Sequence, residues 1–282
     1  MPLALITGAA TGIGRATSLQ LAGSGWDVLA GVRDAAAGEA LERDAPSGRV
    51  QALTLDVTDP KQIASAAAAV AQATGASSSG GLDALVNNAG IGVGGPLELV
   101  TQDDLRRQFD VNVFAQVAVT QAMLPALRRA GGRIILVSSI GGRVAMAYTA
   151  PYAASKHAIE AIGDALRVEL ARSNITVAII EPGSVATPIW SKNQADAQEL
   201  EIPAELHAYY GHIPAALEKV LKDTGSRGVP PEQVAATIER ALTSPRMKAR
   251  YVIGRDARAM LIAKTILPAH MFDRLAKRML GV

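Results

Sequence analysis

Leu3-Ala4-Leu5-Ile6-Thr7-Gly8-Ala9-Ala10-Thr11-Gly12-Ile13-Gly14 is the stretch on which the reading of the whole chain turns. Its apolar opening, Leu3–Ile6, reads as a strand, and the residues from Ile13 to about 24 read as a helix. Glycine lets the backbone turn tightly and lets a ligand approach where a Cβ would otherwise stand. The helix behind the turn would aim unpaired N–H groups and the positive end of its dipole at that spot, which suits a pyrophosphate. The spacing is Gly-x3-Gly-x-Gly, not the commoner Gly-x-Gly-x2-Gly, and taken alone it is equally that of a plain tight turn. The Lys-Ser/Thr pair of a nucleotide-hydrolysing loop is missing.

Outward from this turn, short apolar runs alternate with longer, Ala-rich stretches. Further strands are expected at Asp27–Val32, Val50–Leu55, Ala84–Val86, Arg133–Val137, Thr176–Ile180 and Arg250–Ile253, with helices near 35–44, 60–73, 101–130, 152–172 and 231–243. Such alternation predicts an α/β fold of Rossmann type: a doubly wound parallel sheet of about seven strands with helices on both faces. The 282 residues fit a single domain, 1–282, and the proline-rich stretch 188–228 reads as a lid rather than a second domain. Hydrophobic residues make up 49%, which excludes a disordered chain, and only 4% are aromatic, so Ala, Val, Leu and Ile must fill the core. A net charge of +2 argues against a general nucleic-acid binder. The absence of cysteine excludes disulfides and thiolate chemistry. No run reaches the roughly 18–20 apolar residues that span a bilayer, and no basic region precedes the first apolar run as in a secretory signal. A cytoplasmic location is expected.

The second strand ends Ala30-Gly31-Val32-Arg33-Asp34, where a dinucleotide fold meets the adenosine ribose. Val32 cannot accept a hydrogen bond from a 2′-hydroxyl, whereas Arg33 can fork onto a 2′-phosphate, so NADP(H) is favoured over NAD(H). A slip of one or two residues would bring Asp34 to that place instead. Tyr152-Ala-Ala-Ser-Lys156 sets a phenol and an ammonium at i and i+4 on one helical face. A cation there would lower the phenol from its usual value of about 10 and make Tyr152 a general acid/base. Ser139 follows the strand ending at Val137, at the edge where parallel sheets collect their sites. Asn112 lies among Phe109, Val111, Val113 and Phe114, and a buried amide needs partners, whether in a site or in the helix backbone.

Thr7-Gly8-x3-Gly12-Ile13-Gly14, Asp56-Val57, Asn87-Asn88-Ala89-Gly90, Asn112, Ser139, Tyr152-x3-Lys156 and Pro182-Gly183-x3-Thr187 follow in that order over residues 3–187. This set resembles a short-chain dehydrogenase/reductase of the single-domain type, with the NADP-preferring hydroxysteroid dehydrogenases and carbonyl reductases as its nearest pattern. The resemblance implies that Gly8, Thr11, Gly12, Ile13 and Gly14 hold the cofactor phosphates. Asp56 and the Val57 backbone would meet adenine, and Asn88, Ala89 and Gly90 would line the adenosine ribose, while Asn87 braces its strand. Lys156 would hold the nicotinamide ribose, and Pro182, Gly183, Val185 and Thr187 would fix the carboxamide. Ser139 would polarise a substrate carbonyl that Tyr152 protonates as hydride arrives, and Asn112 would anchor a water linked to Lys156. Thr11 stands where many NADP enzymes of the family carry Lys or Arg, which leaves Arg33 as the expected cationic partner of the 2′-phosphate.

Substrate identity should reside between Ser139 and Tyr152 and in the lid. Val144, Met146, Tyr148, Trp190 and Tyr209 are candidate pocket residues, and they suggest an apolar, medium-sized ketone, aldehyde or secondary alcohol. His207 and His212 lack further ligands at metal spacing, so no metal is expected. Residues 246–282 carry nine Lys or Arg against Asp256 and Asp273, with Leu267, Met271, Leu275 and Met279 every four residues around Pro268. This basic extension, from about 255, is expected to pack on the subunit or a partner, or else to meet anionic lipid at a membrane surface. Self-association through 101–130 and 152–172 is implied by the resemblance, as a homodimer in preference to a tetramer. Two other readings stay open: a non-catalytic NADP(H) sensor, and a sugar-nucleotide epimerase, whose usual Gly-x2-Gly-x2-Gly and larger C-terminal domain are missing.

Overall fold

The computed structural model describes residues 1–75, 77–187, 202–215 and 228–280. Seven parallel strands form one sheet in the order β3-β2-β1-β4-β5-β6-β7. They are β1 (Leu3–Thr7), β2 (Asp27–Val32), β3 (Val50–Thr54), β4 (Ala84–Asn87), β5 (Arg133–Val137), β6 (Thr176–Pro182) and β7 (Arg250–Ile253). The order reverses at β1, whose neighbours are β2 and β4, so a crevice opens at the carboxyl ends of β1 and β4. The expected doubly wound sheet is therefore the observed one.

The strands between the two edges are buried on both faces because successive side chains point oppositely and both faces carry helices, whereas the edge strands β3 and β7 are partly open. Ala4, Ile6, Val28 and Ala30 pack on one face under α1 (Gly12–Gly23) and α7 (Pro231–Thr243). Leu3, Leu5, Leu29 and Leu85 pack on the other under α3 (Pro60–Ala73), α5 (Ala115–Ala130) and α6 (Ala150–Glu169). Between β2 and β3 runs α2 (Ala35–Asp44), started by the Asp34 carboxylate, which accepts the Ala36 N–H.

Two expectations about helices change. The helix expected over 101–130 is broken: α4 (Gln102–Phe109) passes through a π-turn at Asp110–Phe114 before α5 begins. The stripe expected around Pro268 is also divided, into α8 (Arg255–Ile266) and α9 (Ala269–Leu280), because Leu267 takes up the extended backbone that precedes a proline. None of the described helices is long and apolar enough to cross a membrane. Trp190 and most of the expected lid lie outside the described residues; within 202–215 a one-turn helix, His207–Tyr210, is formed.

At the end of β4 the fully buried Asn87 donates to Thr120 Oγ1 of α5 at 2.9 Å, and its own Oδ1 has no partner. Thr120→Val keeps the volume and removes the acceptor, stranding the whole amide. A loss of about 1–3 kcal/mol is expected in urea unfolding.

Candidate active site

The phosphate end is a backbone device. Gly8 and Gly12 take φ of +65° and +54°, which L side chains resist. A Cβ on Gly14 would fall 2.6 Å from Asn88 Nδ2 and onto the Gly8 carbonyl, and one on Gly8 would fall 2.9 Å from Ala89 Cα. Thr11 begins α1 without a side-chain cap, so the first N–H groups of that helix keep no side-chain partner. Beside Gly12 a cleft of about 360 Å³, bounded by Arg15, Gln20, Ala186 and Glu232, opens between α1 and α7. Asn88 does not face the crevice with free donors. Its amide donates to Thr7 O (3.0 Å) and Gly8 O (3.1 Å), and Thr7 Oγ1 accepts the Asn88 and Ala89 N–H groups in return. The side chain braces the turn.

Just past β3, Asp56 lies between Leu55 and Val57, both buried, and its Oδ1 accepts from Thr58 N and Thr58 Oγ1. Those bonds hold its carboxyl below the usual range, and the Arg33 guanidinium adds to the effect. Arg33 is exposed just past β2 and close enough to act on Asp56, so the two meet at one end of the crevice. Asp34, the alternative at this position, spends its carboxylate capping α2.

At the carboxyl end of β5, its last residue and the two that follow meet three successive turns of α6. Lys156 Nζ donates to Val137 O at 2.8 Å, Ser138 lies toward Glu160, and Ser139 contacts the Tyr152 hydroxyl. Burial holds the Tyr152 phenol above its ordinary value and Ser139 opposes the rise. The expected lowering by Lys156 is not found: its ammonium lies 5.7 Å from the ring centroid and is turned to the Val137 carbonyl. Burial pushes Lys156 itself down to about 8, with Glu160 resisting. Gly90 leaves room here, since its Cβ would stand 3.7 Å from Lys156 Nζ and 3.3 Å from Asn112 Oδ1.

Asn112, fully buried in the π-turn, accepts from Ile91 N (2.9 Å) and donates to Ile91 O (3.0 Å) and Ser155 Oγ (3.1 Å). Both amide hydrogens are thus used within the protein, which leaves an acceptor site on Oδ1 as its remaining capacity. It is one rung of a ladder. Gln108 meets Val93 N, Ile91 O and Ser155 Oγ; Gln116 meets Ala89 O; Thr120 meets Asn87. Four helical residues advance about 6 Å and two extended residues about 6.6 Å, so the rungs stay in step. The sequence carried this signal as polar residues spaced by four, and the reading above took only Asn112 from it.

The matching family model describes a short chain dehydrogenase and covers residues 2–198. The chain belongs to the short-chain dehydrogenase family. It is 34% identical over 280 residues to the NADPH-dependent 3-dehydrocapnine reductase of Ornithobacterium rhinotracheale, covering 98% of this chain and 96% of that one. It is 36% identical over 278 residues to retinol dehydrogenase 5 of Mus musculus, covering 95% of this chain and 85% of that one. Among solved structures it resembles a short-chain dehydrogenase from Streptomyces avermitilis, with TM-score 0.77, 30% identity and coverage of 94% and 92% of the two chains. Family membership makes it an oxidoreductase of alcohol and carbonyl groups that uses a nicotinamide cofactor.

Other expected positions of this short-chain dehydrogenase divide. Pro182 ends β6 beside Ser139, and Gly183, Val185 and Thr187 lie in the loop that follows, tied by the Val185–Val229 bridge and by Asp256, whose Oδ2 accepts the Ser184 N–H at 2.9 Å. Asp256 belongs to α8, so the basic extension reaches this loop, a contact the sequence did not suggest. Val144 is buried, and Met146 and Tyr148 are half-buried, Tyr148 at φ +64° with its carbonyl accepting Gly95 N–H. Tyr209 is 68% exposed, and its neighbour Tyr210 donates to Glu98 at 2.7 Å. Gly14→Ala is expected to force the turn open, and should lower the melting temperature by several degrees and speed hydrogen exchange at the Asn88 and Ala89 amides.

Proposed function

We propose that this enzyme is an NADP(H)-dependent reductase or dehydrogenase of apolar ketones and secondary alcohols. The observation that carries the reading is the meeting of Ser139, Tyr152 and Lys156 at the carboxyl end of β5, in the crevice whose other end is the Gly8–Gly14 turn. The turn fits a dinucleotide: a Cβ at Gly14 has no room, and the α1 N–H groups beside it suit a pyrophosphate. The nicotinamide supplies or accepts the hydride when bound.

The chain's own residues supply position and protons. Ser139 would donate its single hydroxyl hydrogen to the substrate oxygen, the same oxygen that Tyr152 protonates, so substrate and phenol are held at one point. Tyr152 gives its proton to the carbonyl oxygen in reduction and removes it from the alcohol in oxidation. Its raised position suits the acid role, and a ribose-bound Lys156 ammonium would ease formation of the phenolate. Asn112 and Gln108 hold Ser155, whose hydroxyl donates to the Tyr152 carbonyl at 2.7 Å, and so fix the first turn of α6. Preference for NADP(H) is supported by exposed Arg33 beside Asp56 and by the committed carboxylate of Asp34. It also agrees with the NADPH dependence in the name of one relative, and the retinol in the name of another agrees with an apolar substrate. Self-association through α5 and α6 belongs to the same reading, and Phe114 and Val168 are exposed there.

With a panel of apolar ketones and aldehydes, NADPH consumption should depend on Tyr152. Tyr152→Phe should lower kcat by roughly 100-fold or more while NADPH still binds. Arg33→Ala should cut the NADPH-over-NADH ratio of kcat/KM by about 10- to 100-fold, the worth of one charged hydrogen bond. Equal turnover by the Tyr152 variant would end the catalytic assignment, and an unchanged ratio would end the cofactor assignment.

A further inference from the structure

One turn beyond Lys156 on α6 lies a buried carboxyl group that the mechanism above does not use. Glu160 is 5% exposed, and Glu181 on β6 is fully buried. Each places an oxygen 3.0 Å from the same atom, Arg250 Nε of β7. Arg250 also reaches Asp164 at 2.7 Å, and Arg143, just past the turn Ile140–Gly142, reaches the already occupied Glu181 Oε1 at 3.2 Å. Asp164 is further paired with Arg167. By distance, Glu160 Oε1, Glu181 Oε2 and Ser138 Oγ make no hydrogen bond, although the Ser138 hydroxyl, on the Glu160 side of Gly142, is near enough to Glu160 to favour its ionised form. Gly142 has no room for a Cβ, which would stand 2.7 Å from Ser138 Oγ and 3.0 Å from Glu160 Cγ.

Two carboxylates crowded onto one guanidinium nitrogen, each with an orphaned oxygen, are poorly served as two anions. Buried carboxylates are costly to charge, and an unpaired buried acceptor costs about 1–3 kcal/mol. A proton on the pair removes one charge and creates a donor for an orphaned acceptor. Of the charged groups on the described elements around the pair, Arg143 and Arg250 favour its ionised form and Asp164 opposes it. Lys156, at i+4 from Glu160, is the cation on the side of the active site.

We propose that Glu160, crowded against Glu181 on Arg250, carries the proton of this buried cluster and that its charge state sets that of Lys156, making it a positioning residue that acts through the lysine. The proposal rests on the reading of Lys156 as the residue that holds the nicotinamide ribose and supports the Tyr152 phenolate. When the pair gives up its proton, Glu160 becomes an anion beside Lys156 and the ammonium is favoured. When the pair keeps the proton, the buried amine has Val137 O as its hydrogen-bond partner and loses its charge more readily. The two groups lie close enough in strength to exchange roles: burial raises Glu160 to about 7, and burial lowers Lys156 to about 8.

The test is NADPH affinity of the full-length protein, read by fluorescence titration across pH. Glu160→Gln fixes the neutral state of that carboxyl. Near pH 6, where the wild-type pair already holds its proton, its affinity should stay within about two-fold of wild type. Near pH 8 it should be about five-fold weaker, because the alkaline loss of affinity moves down by about one pH unit from the Lys156 value of about 8. Glu181→Gln leaves Glu160 free to ionise and should keep the wild-type alkaline limb. The wild-type protein supplies a second readout: an infrared difference spectrum between about pH 6 and pH 8.5 should lose a protonated-carboxyl band that Glu160→Gln lacks. Equal pH curves for wild type and Glu160→Gln, a weakening that is uniform across pH, or absence of that band would each overturn the proposal. Failure of wild-type protein to bind NADPH at any pH would defeat the functional reading itself, whereas binding with unshifted curves would defeat the acid pair alone.

Discussion

The row of buried hydrogen bonds between α4–α5 and the chain leaving β4 is the constraint on which the crevice depends. Extended backbone emerging from a sheet loses its ladder partners, and buried N–H and C=O groups without partners are costly. Gln108, Asn112 and Gln116 supply those partners to residues 89–93, and Thr120 receives Asn87 at the strand's end. From that fixed segment Asn88 holds the Gly8 turn, Gly90 leaves room beside Lys156, and Ser155 is tied to both Gln108 and Asn112. One polar seam thus connects the phosphate end of the crevice to the chemical end. The π-turn at Asp110–Phe114 lies in the middle of it, where π-turns are often found at working sites.

The chemical end shows a second tension, between burial and charge. Tyr152 and Lys156 are both shifted toward neutrality by burial, the phenol upward and the amine downward. Neither shift is the one expected from a simple phenolate–ammonium pair, because the ammonium is turned to Val137 O. In the proposed reading, the ribose hydroxyls and the carboxyl group one turn away supply what that pairing lacks. Burial also makes the region sensitive to small changes in neighbouring charge, since Coulombic effects are screened less there than at the surface.

The sheet was readable because its strands are short apolar runs between Ala-rich helices, and the interior alternates in the way those runs predict. Boundaries failed where polar residues end strands. Thr7, Asn87 and Glu181 lie inside β1, β4 and β6, although the apolar pattern stops one residue before each; they face the crevice or the groups under it. The glycine turn, Ser139, Tyr152 and Lys156 could be placed because their chemistry is local and ordered along the chain. The Glu160–Glu181–Arg250 cluster could not, because only the pairing of β5, β6 and β7 brings those residues together. The bracing role of the Asn88 side chain was not legible for a related reason: its partners, Thr7 and Gly8, are distant in sequence.

The central claim is that this crevice transfers hydride. NADPH carrying deuterium at nicotinamide C4, on the transferable face, should be incubated with the enzyme and an apolar prochiral ketone, and the alcohol examined by mass spectrometry. The account predicts one deuterium on the carbinol carbon, in a single enantiomer of the product. Cofactor that binds but leaves every ketone unlabelled would contradict it and would favour a protein that senses the nucleotide without reducing anything.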